Sequence, residues 1–103
     1  MRGFEERRQA GETQLVYHQA LEFRARAMGA KMLGVWAAEL MGQEGETAVC
    51  YAEDLVRAGV LAGDPVERVR ADMRSAGFAP GDRALRLQYD MFLDEARATI
   101  ATL

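Results

Sequence analysis

The sequence predicts an all-α protein, a small four-helix bundle with a long first helix. Three observations support that fold class. The chain is rich in residues of high helix propensity, among them Ala, Leu, Met, Glu, Gln and Arg. Apolar residues recur at intervals of three and four, the repeat of a helix that buries one face. No segment alternates apolar and polar residues as a half-buried strand would.

The first helix is predicted from Glu5 to Met41, a stretch without proline, and Gly42 is placed to end it. Its downstream half carries large apolar residues at helical spacing: Leu21, Met28, Met32, Leu33, Val35, Trp36 and Leu40. Between Arg2 and Gln14, however, Phe4 is the only large apolar residue. One such side chain cannot hold a segment against a core. Residues 1–14 are therefore predicted to form an N-terminal arm that is mobile when free, and residues 15–103 to form the bundle.

Glycine and proline mark the ends of the second and third helices. The second is predicted from Glu46 to Ala58, with Gly59 ending it. The third begins in Gly63-Asp64-Pro65-Val66-Glu67. Asp64 suits the N-cap, Pro65 the first helical position and Glu67 the reciprocal position of a capping box. Gly77 suits the left-handed position that ends this helix.

The fourth helix is predicted from a cap at Asp82 to Leu103. The last three helices each place apolar residues on one face, at the spacing of an amphipathic helix. The members of these faces are Ala48, Tyr51, Ala52, Leu55, Val56, Val66, Val69, Met73, Leu85, Tyr89, Phe92, Leu93, Ala96 and Ile100.

Composition excludes several classes of protein. A net charge of −3 argues against a general nucleic-acid binder, and the basic residues Arg24, Arg26 and Lys31 are interpreted as a solvated helix face. The single cysteine, Cys50, rules out an internal disulfide, and its small and apolar neighbours predict a packed thiol. The sequence has no signal peptide and no apolar run long enough to span a membrane, so a cytoplasmic protein is expected.

The residue clusters of enzymes are missing. One His and one Cys cannot form a zinc site without distant carboxylates, and no glycine-rich phosphate loop occurs. Neither catalytic residues nor a metal site are predicted. Trp36 is interpreted as a core residue, and the small residues Gly34, Ala37 and Ala38 beside it allow another helix to approach closely.

The run Leu33-Gly34-Val35-Trp36-Ala37-Ala38-Glu39-Leu40 resembles the zeta subunit family of alphaproteobacterial rotary ATP synthases, a family of ATPase inhibitors. The resemblance extends over essentially the whole chain and begins with Phe4-Glu5-Glu6-Arg7. Further matching positions are Glu12, Leu21, Phe23-Arg24-Ala25, Lys31-Met32, Tyr51-Ala52, Val56, Gly63-Asp64, Arg68, Asp72, Ala96 and Ile100.

This resemblance implies a four-helix bundle and a regulatory inhibitor of ATP hydrolysis. In the family, the N-terminal segment folds into a helix between catalytic-head subunits and the rotor stalk, and so stops reverse rotation. By the same resemblance Phe4 is the apolar anchor, and the polar contacts come from Glu5, Glu6, Arg7, Arg8 and Glu12. The implied partners are the catalytic head and the rotor stalk, which places the protein at the periphery of the inner membrane. The unbound protein is expected to be a monomer.

Four stretches depart from the family pattern. The connection after the second helix carries Gly59-Val60 where Asp-Phe is usual, and the acidic cap region is shortened around Pro65. Met28-Gly29-Ala30 stands where Arg-Arg-Asn is usual, and His18-Gln19-Ala20 replaces an acidic stretch. These differences leave two alternatives open: a paralogous helical adaptor with another partner, and a sensor that binds an adenine nucleotide in the bundle. No residues are assigned to such a nucleotide site, and no other cofactor is expected.

Overall fold

The computed structural model describes the backbone of residues 2–102 and the side chains of residues 15–59 and 63–102. Within that part of the chain there are four α-helices and no strand: α1 (Arg2–Leu40), α2 (Glu46–Ala62), α3 (Pro65–Ser75) and α4 (Asp82–Ala101). The predicted all-α fold with a long first helix is confirmed. The predicted arm, residues 1–14, lies outside the described side chains and stays a prediction.

The core forms where α2 and α4 pack on the downstream half of α1, and α3 closes one end. Its largest fully buried side chains are Leu33, Leu55, Val66, Val69 and Leu85. The faces predicted for α2, α3 and α4 are confirmed, because their members are buried or half-buried. On α1, by contrast, most buried positions are small residues: Ala25, Gly29, Ala30, Gly34, Ala37 and Ala38.

The small residues of α1 let α2 approach unusually closely. A Cβ atom added at Gly34 would lie 2.7 Å from Ala52 Cα and 2.9 Å from Ala52 Cβ, distances that real Cβ atoms essentially never show. The prediction that small residues permit a close helix approach is confirmed. As a consequence, the large residues Met28, Met32 and Trp36 are displaced to the side of the contact and remain half-exposed. Leu40 is 47% exposed, so its predicted place on the buried face is wrong.

The predicted helix ends are largely confirmed. Gly42 and Gly77 have φ of +86° and +89°, the left-handed conformation in which an L side chain is strained. The prediction that Gly59 ends the second helix is wrong, since α2 continues to Ala62 and ends at Gly63, with φ +91°. Pro65 explains this position, because the residue before a proline avoids helical backbone and the helix must end before Asp64.

Two contacts stabilise the start of α3, one within the helix and one from α4. Asp64 Oδ1 accepts a hydrogen bond from the backbone N–H of Val66 at 3.0 Å, which confirms the predicted N-cap. Arg86 of α4 donates to both carboxylate oxygens of Asp64 and so ties the two helices together. Glu67 accepts from Arg70 at 2.8 Å, so its carboxylate serves an ion pair rather than the predicted capping box.

The start of α4 differs by one residue from the prediction. Gly81 occupies the N-cap position, and Asp82 is the first helical residue. Asp82 Oδ1 lies 2.7 Å from Arg70 Nε, although the N–H does not point along that line, so the contact is an ion pair without an aligned hydrogen bond. A negative charge in the first turn also suits the helix dipole.

Tyr51 joins α2 to α3 through one polar contact. Its hydroxyl donates a 2.7 Å hydrogen bond to Asp72 Oδ2, and Arg68 Nε lies 3.6 Å from the same oxygen. Burial, together with the neighbouring Asp72, raises the pKa of Tyr51 above its usual range. Replacement Tyr51→Phe should lower the free energy of unfolding by about 1–2 kcal/mol, because a half-buried hydrogen bond to a carboxylate is lost. Urea unfolding followed by circular dichroism measures this change.

The variant Arg57→Ala is a suitable control for Tyr51→Phe. Arg57 makes contacts of 3.1 and 3.8 Å to Asp54 and Glu53, all on the exposed surface of α2. Exposed ion pairs of this kind contribute little to stability. Equal losses of stability in the two variants would contradict a specific contribution from the Tyr51–Asp72 bond.

Candidate partner-binding surface

Upstream of the core, α1 forms an ion pair with the last turns of α4. Arg97 donates to both oxygens of Glu22, with Nη2–Oε1 at 2.6 Å and Nε–Oε2 at 3.2 Å. Arg26, one turn further along α1, lies 3.8 Å from Glu22 Oε1. Such a two-point contact fixes the orientation of both side chains. Among the described side chains, Glu22 is the most upstream residue of α1 with a polar contact to another helix.

The hydrogen bonds from Arg97 hold the pKa of the Glu22 carboxyl below its ordinary value of 4.5. A lowered pKa in the folded state means that the ionised pair stabilises the fold above pH 4.5 and that this contribution disappears as the pH falls through the folded value. The variant Glu22→Gln is thus expected to be slightly less stable than the wild type at neutral pH and equally stable in strong acid. The difference is small because both side chains are more than one third exposed.

Thermal unfolding of both proteins across acidic and neutral pH measures this difference. Asp90→Asn serves as the control, because Asp90 is an exposed carboxylate of α4. A Glu22→Gln deficit that is unchanged in strong acid would contradict an origin in the ionised pair.

Three consecutive large residues at the upstream end of the described side chains are exposed. Leu15, Val16 and Tyr17 expose 58%, 64% and 63% of their surface. Successive residues of a helix are turned by about 100°, so these three side chains spread over roughly 200° of the surface of α1. A single neighbouring helix cannot cover such an arc, whereas a cleft that surrounds the helix can. A contiguous apolar surface of this kind is typical of a protein-binding site.

This exposed run, Leu15–Tyr17, is not among the site residues predicted from the sequence. Its signal in the sequence is the run itself, since three adjacent large apolar residues do not fit the one-sided pattern of an amphipathic helix. The rings of Tyr17 and His18 meet edge to face, with centroids 6.2 Å apart.

The predicted partner-binding residues all precede this exposed run on the same helix. Their side chains lie outside the described part of the chain, so their roles stay predictions; the residues are Phe4, Glu5, Glu6, Arg7, Arg8 and Glu12. The structure does place them in one element with the exposed run, because α1 spans Arg2–Leu40.

Apart from the exposed run, a concave surface lies where α1 meets the end of α2. It encloses about 260 Å³, and Phe23, Arg26 and Tyr89 are its large or polar lining residues. Burial raises the pKa of the Tyr89 hydroxyl, and a neutral tyrosine hydroxyl can donate a hydrogen bond. Arg26 supplies positive charge, although its guanidinium already lies close to Glu22. A ring could stack on Phe23 here, but a polyphosphate would have to compete with Glu22 for Arg26.

Other chemistry has little support among the described residues. They include no group of three or more His, Cys, Asp or Glu side chains that could hold a metal ion. Cys50 is exposed, so the predicted packed thiol is wrong. The reason is helical phase: α2 buries Ala48, Ala52 and Leu55, and Cys50 lies on the opposite side of the helix.

The predicted solvated face of Arg24, Arg26 and Lys31 is confirmed, since all three are exposed. Across the described residues, we find no helix with the length and apolar character that a membrane crossing requires.

Comparison with known proteins identifies the family. A family model described as ATPase inhibitor subunit zeta matches residues 1–99, which is nearly the whole chain. No curated protein and no solved structure gives a significant match. The matched range includes the predicted arm, the exposed run Leu15–Tyr17, the helices α1 to α3, and α4 as far as Thr99. The chain therefore belongs to the ATPase inhibitor subunit zeta family.

Proposed function

We propose that this protein inhibits ATP hydrolysis by the rotary ATP synthase, with the upstream part of α1 inserted as a helix between catalytic-head subunits and the rotor stalk. Membership of an ATPase inhibitor family supports the inhibitory role. The insertion is what the family resemblance implies, and the exposed run Leu15–Tyr17 is the structural observation that supports it. A helix that enters a cleft between several subunits contacts them on more than one side. The three side chains of the run cover such a range of directions.

The position of the exposed run within α1 supports this mechanism. One helix, Arg2–Leu40, contains the predicted arm, the exposed run and the central helix of the bundle. At 1.5 Å per residue it would span about 58 Å when straight. The bundle is too wide to follow the helix into a narrow cleft, so it would remain outside and limit how deeply the helix enters. The rotor stalk would then turn against a helix that is held by the bundle at one end and by the cleft at the other.

Burial of the exposed run would supply much of the binding free energy. Burying a large apolar side chain contributes about 1.5–3 kcal/mol. Phe4 would add a further apolar contact, with Glu5, Glu6, Arg7, Arg8 and Glu12 in polar contacts around it. Part of this energy would offset the loss of conformational freedom when residues 1–14 become fixed in the cleft.

ATP hydrolysis by the cognate catalytic head tests this function directly. The full chain and a truncated chain that begins at Leu15 are titrated into the assay, and circular dichroism verifies that both are folded. The full chain should inhibit, and the truncated chain should lose most of the inhibition. Equal inhibition by both would place the inhibitory contact at or downstream of Leu15, in the exposed run or in the bundle. No inhibition by either would contradict the proposed function.

The two alternatives from the sequence are tested separately. An adaptor with another partner would recover no ATP synthase subunits in a pull-down from native membranes. A nucleotide sensor would show ATP-induced NMR shifts at Phe23, Arg26 and Tyr89, which line the concave surface near the end of α2. Binding of ATP there would be compatible with inhibition, since this surface lies downstream of the proposed insertion.

A further inference from the structure

A half-open apolar groove runs along the downstream part of α1 beside α4. It encloses about 490 Å³. Its apolar lining consists of Met28, Met32, Val35, Trp36 and Phe92. The Trp36 and Phe92 rings meet edge to face with centroids 6.4 Å apart, and both are only partly buried. The groove is thus an apolar surface at the edge of the core that the four helices do not cover completely.

Two neighbouring ridges of α1 border this groove. Met28, Met32, Trp36 and Leu40 follow one another at intervals of four and form an apolar ridge. Lys31, Val35 and Glu39 form the adjacent ridge, which has opposite charges at its two ends. Both charged residues are exposed. Neither takes part in the ion pairs that join described side chains.

The two ridges have nearly the same centre. The apolar ridge is symmetric about position 34, and Lys31 and Glu39 are symmetric about position 35. If a second α1 packs antiparallel around this point, Met32 of each copy faces Trp36 of the other. Lys31 of each copy then faces Glu39 of the other. The difference of one residue between the centres offsets Lys31 from the facing Glu39 by about 3 Å along the axis, which long Lys and Glu side chains can absorb.

We propose that this face of α1 binds a second copy of the same chain in an antiparallel dimer with two-fold symmetry. A two-fold interface must be complementary to itself, and opposite charges at equal distances from the axis satisfy that condition. Like charges at these two positions would repel in the same arrangement. The interface is small, because about a dozen residues of each α1 overlap, so the dimer is weak and the dilute protein is monomeric. The dimer is independent of the proposed inhibition, which uses the upstream part of α1.

Sedimentation equilibrium of the full chain from micromolar to millimolar concentration tests the dimer. The mean mass should rise towards twice that of one chain. Lys31→Glu and Glu39→Lys should each weaken dimerisation by roughly tenfold, because two facing ion pairs become two repulsive contacts. The double variant Lys31→Glu, Glu39→Lys should restore it. Glu39→Lys is especially informative, because it lowers the net negative charge and would favour association if overall repulsion alone mattered.

Two further variants separate the groove from other exposed apolar surface. Met32→Glu should abolish the dimer, whereas Leu87→Glu should not affect it, since Leu87 is 61% exposed on α4 and does not line the groove. Circular dichroism verifies that each variant is folded. A mass that stays monomeric at every concentration would overturn the proposal and leave the groove to a helix of another protein. Dimerisation that the single charge reversals do not weaken, or that the double variant does not restore, would overturn it as well.

Discussion

Replacing Leu15, Val16 and Tyr17 together by alanine should weaken inhibition of ATP hydrolysis by roughly a hundredfold. At about 1 kcal/mol for each truncated side chain, less than the roughly 1.5–3 kcal/mol for burying a large apolar side chain, three such changes amount to about 3 kcal/mol, or two powers of ten in affinity. Alanine has the highest helix propensity, so the triple variant retains the tendency of this segment to form a helix. A loss of inhibition would therefore reflect the lost contact area and not a lower helix content.

The same triple variant should leave the bundle nearly as stable as the wild type. Each of the three side chains is more than half exposed, and such surface positions contribute little to the free energy of unfolding. Thermal unfolding followed by circular dichroism measures this. The matched control is Leu87→Ala with Met91→Ala, since these residues are 61% and 56% exposed on α4. The control should inhibit as well as the wild type does. That result would show that removing exposed apolar surface elsewhere does not weaken inhibition.

Inhibition constants from titrations of the catalytic head decide the outcome. If the triple variant inhibits as well as the wild type, the exposed run is not part of the contact with ATP synthase. Insertion of the helix as far as Leu15 would then be contradicted. The truncated chain that begins at Leu15 retains the run, so the two variants together show how much of α1 enters the partner.

The ends of the helices could be predicted from the sequence because they depend on local chemistry. Asp64 followed by Pro65 defines the start of α3, and glycine at positions 42 and 77 supplies the left-handed backbone that ends a helix. The error at Gly59 has the same local origin. Glycine is tolerated inside a helix at a cost of about 1 kcal/mol, and the proline at position 65 was the stronger signal for where α2 had to end.

The buried face of α1 could not be predicted from the size of its apolar residues. The helix contacts both α2 and α4, and the closest contact selects small residues such as Gly34 and Ala37. Large residues such as Met32 then lie beside the contact and stay half-exposed. Hydrophobic spacing indicates that a helix has an apolar side, but not which of two neighbouring ridges faces the nearer partner.

Prediction of the candidate site from the sequence was limited in a similar way. The predicted bundle begins at Leu15, because the sequence does not state where the neighbouring helices stop. That point depends on the lengths of α2 and α4 and on the packing of α4 along α1, which ends in the Arg97–Glu22 pair. The side chains from Phe4 to Glu12 lie outside the described residues, so their contribution rests on the family resemblance.

The largest expected effect on stability belongs to the contact between α1 and α2. Gly34→Ala should lower the free energy of unfolding by roughly 1–2 kcal/mol, although alanine alone would favour the helix by up to about 1 kcal/mol. The added Cβ would lie 2.7 Å from Ala52 Cα and 3.2 Å from Leu55 Cδ2. A backbone atom cannot rotate away as a side chain can, so the two helices must separate and lose contacts along their length. For a domain of this size the melting temperature should fall by roughly 5–10 °C.

A graded series of glycine variants makes this prediction specific. At Gly29 the nearest atom to an added Cβ is Leu93 Cδ2 at 3.0 Å, the end of a flexible side chain, so Gly29→Ala should be less harmful than Gly34→Ala. At Gly59 no atom lies within 4 Å, so Gly59→Ala should raise the free energy of unfolding by up to about 1 kcal/mol. Thermal and urea unfolding of the three variants measure the order. A Gly34→Ala variant as stable as Gly59→Ala would mean that α1 and α2 are not in close contact at this position, because helix propensity alone favours alanine equally at both.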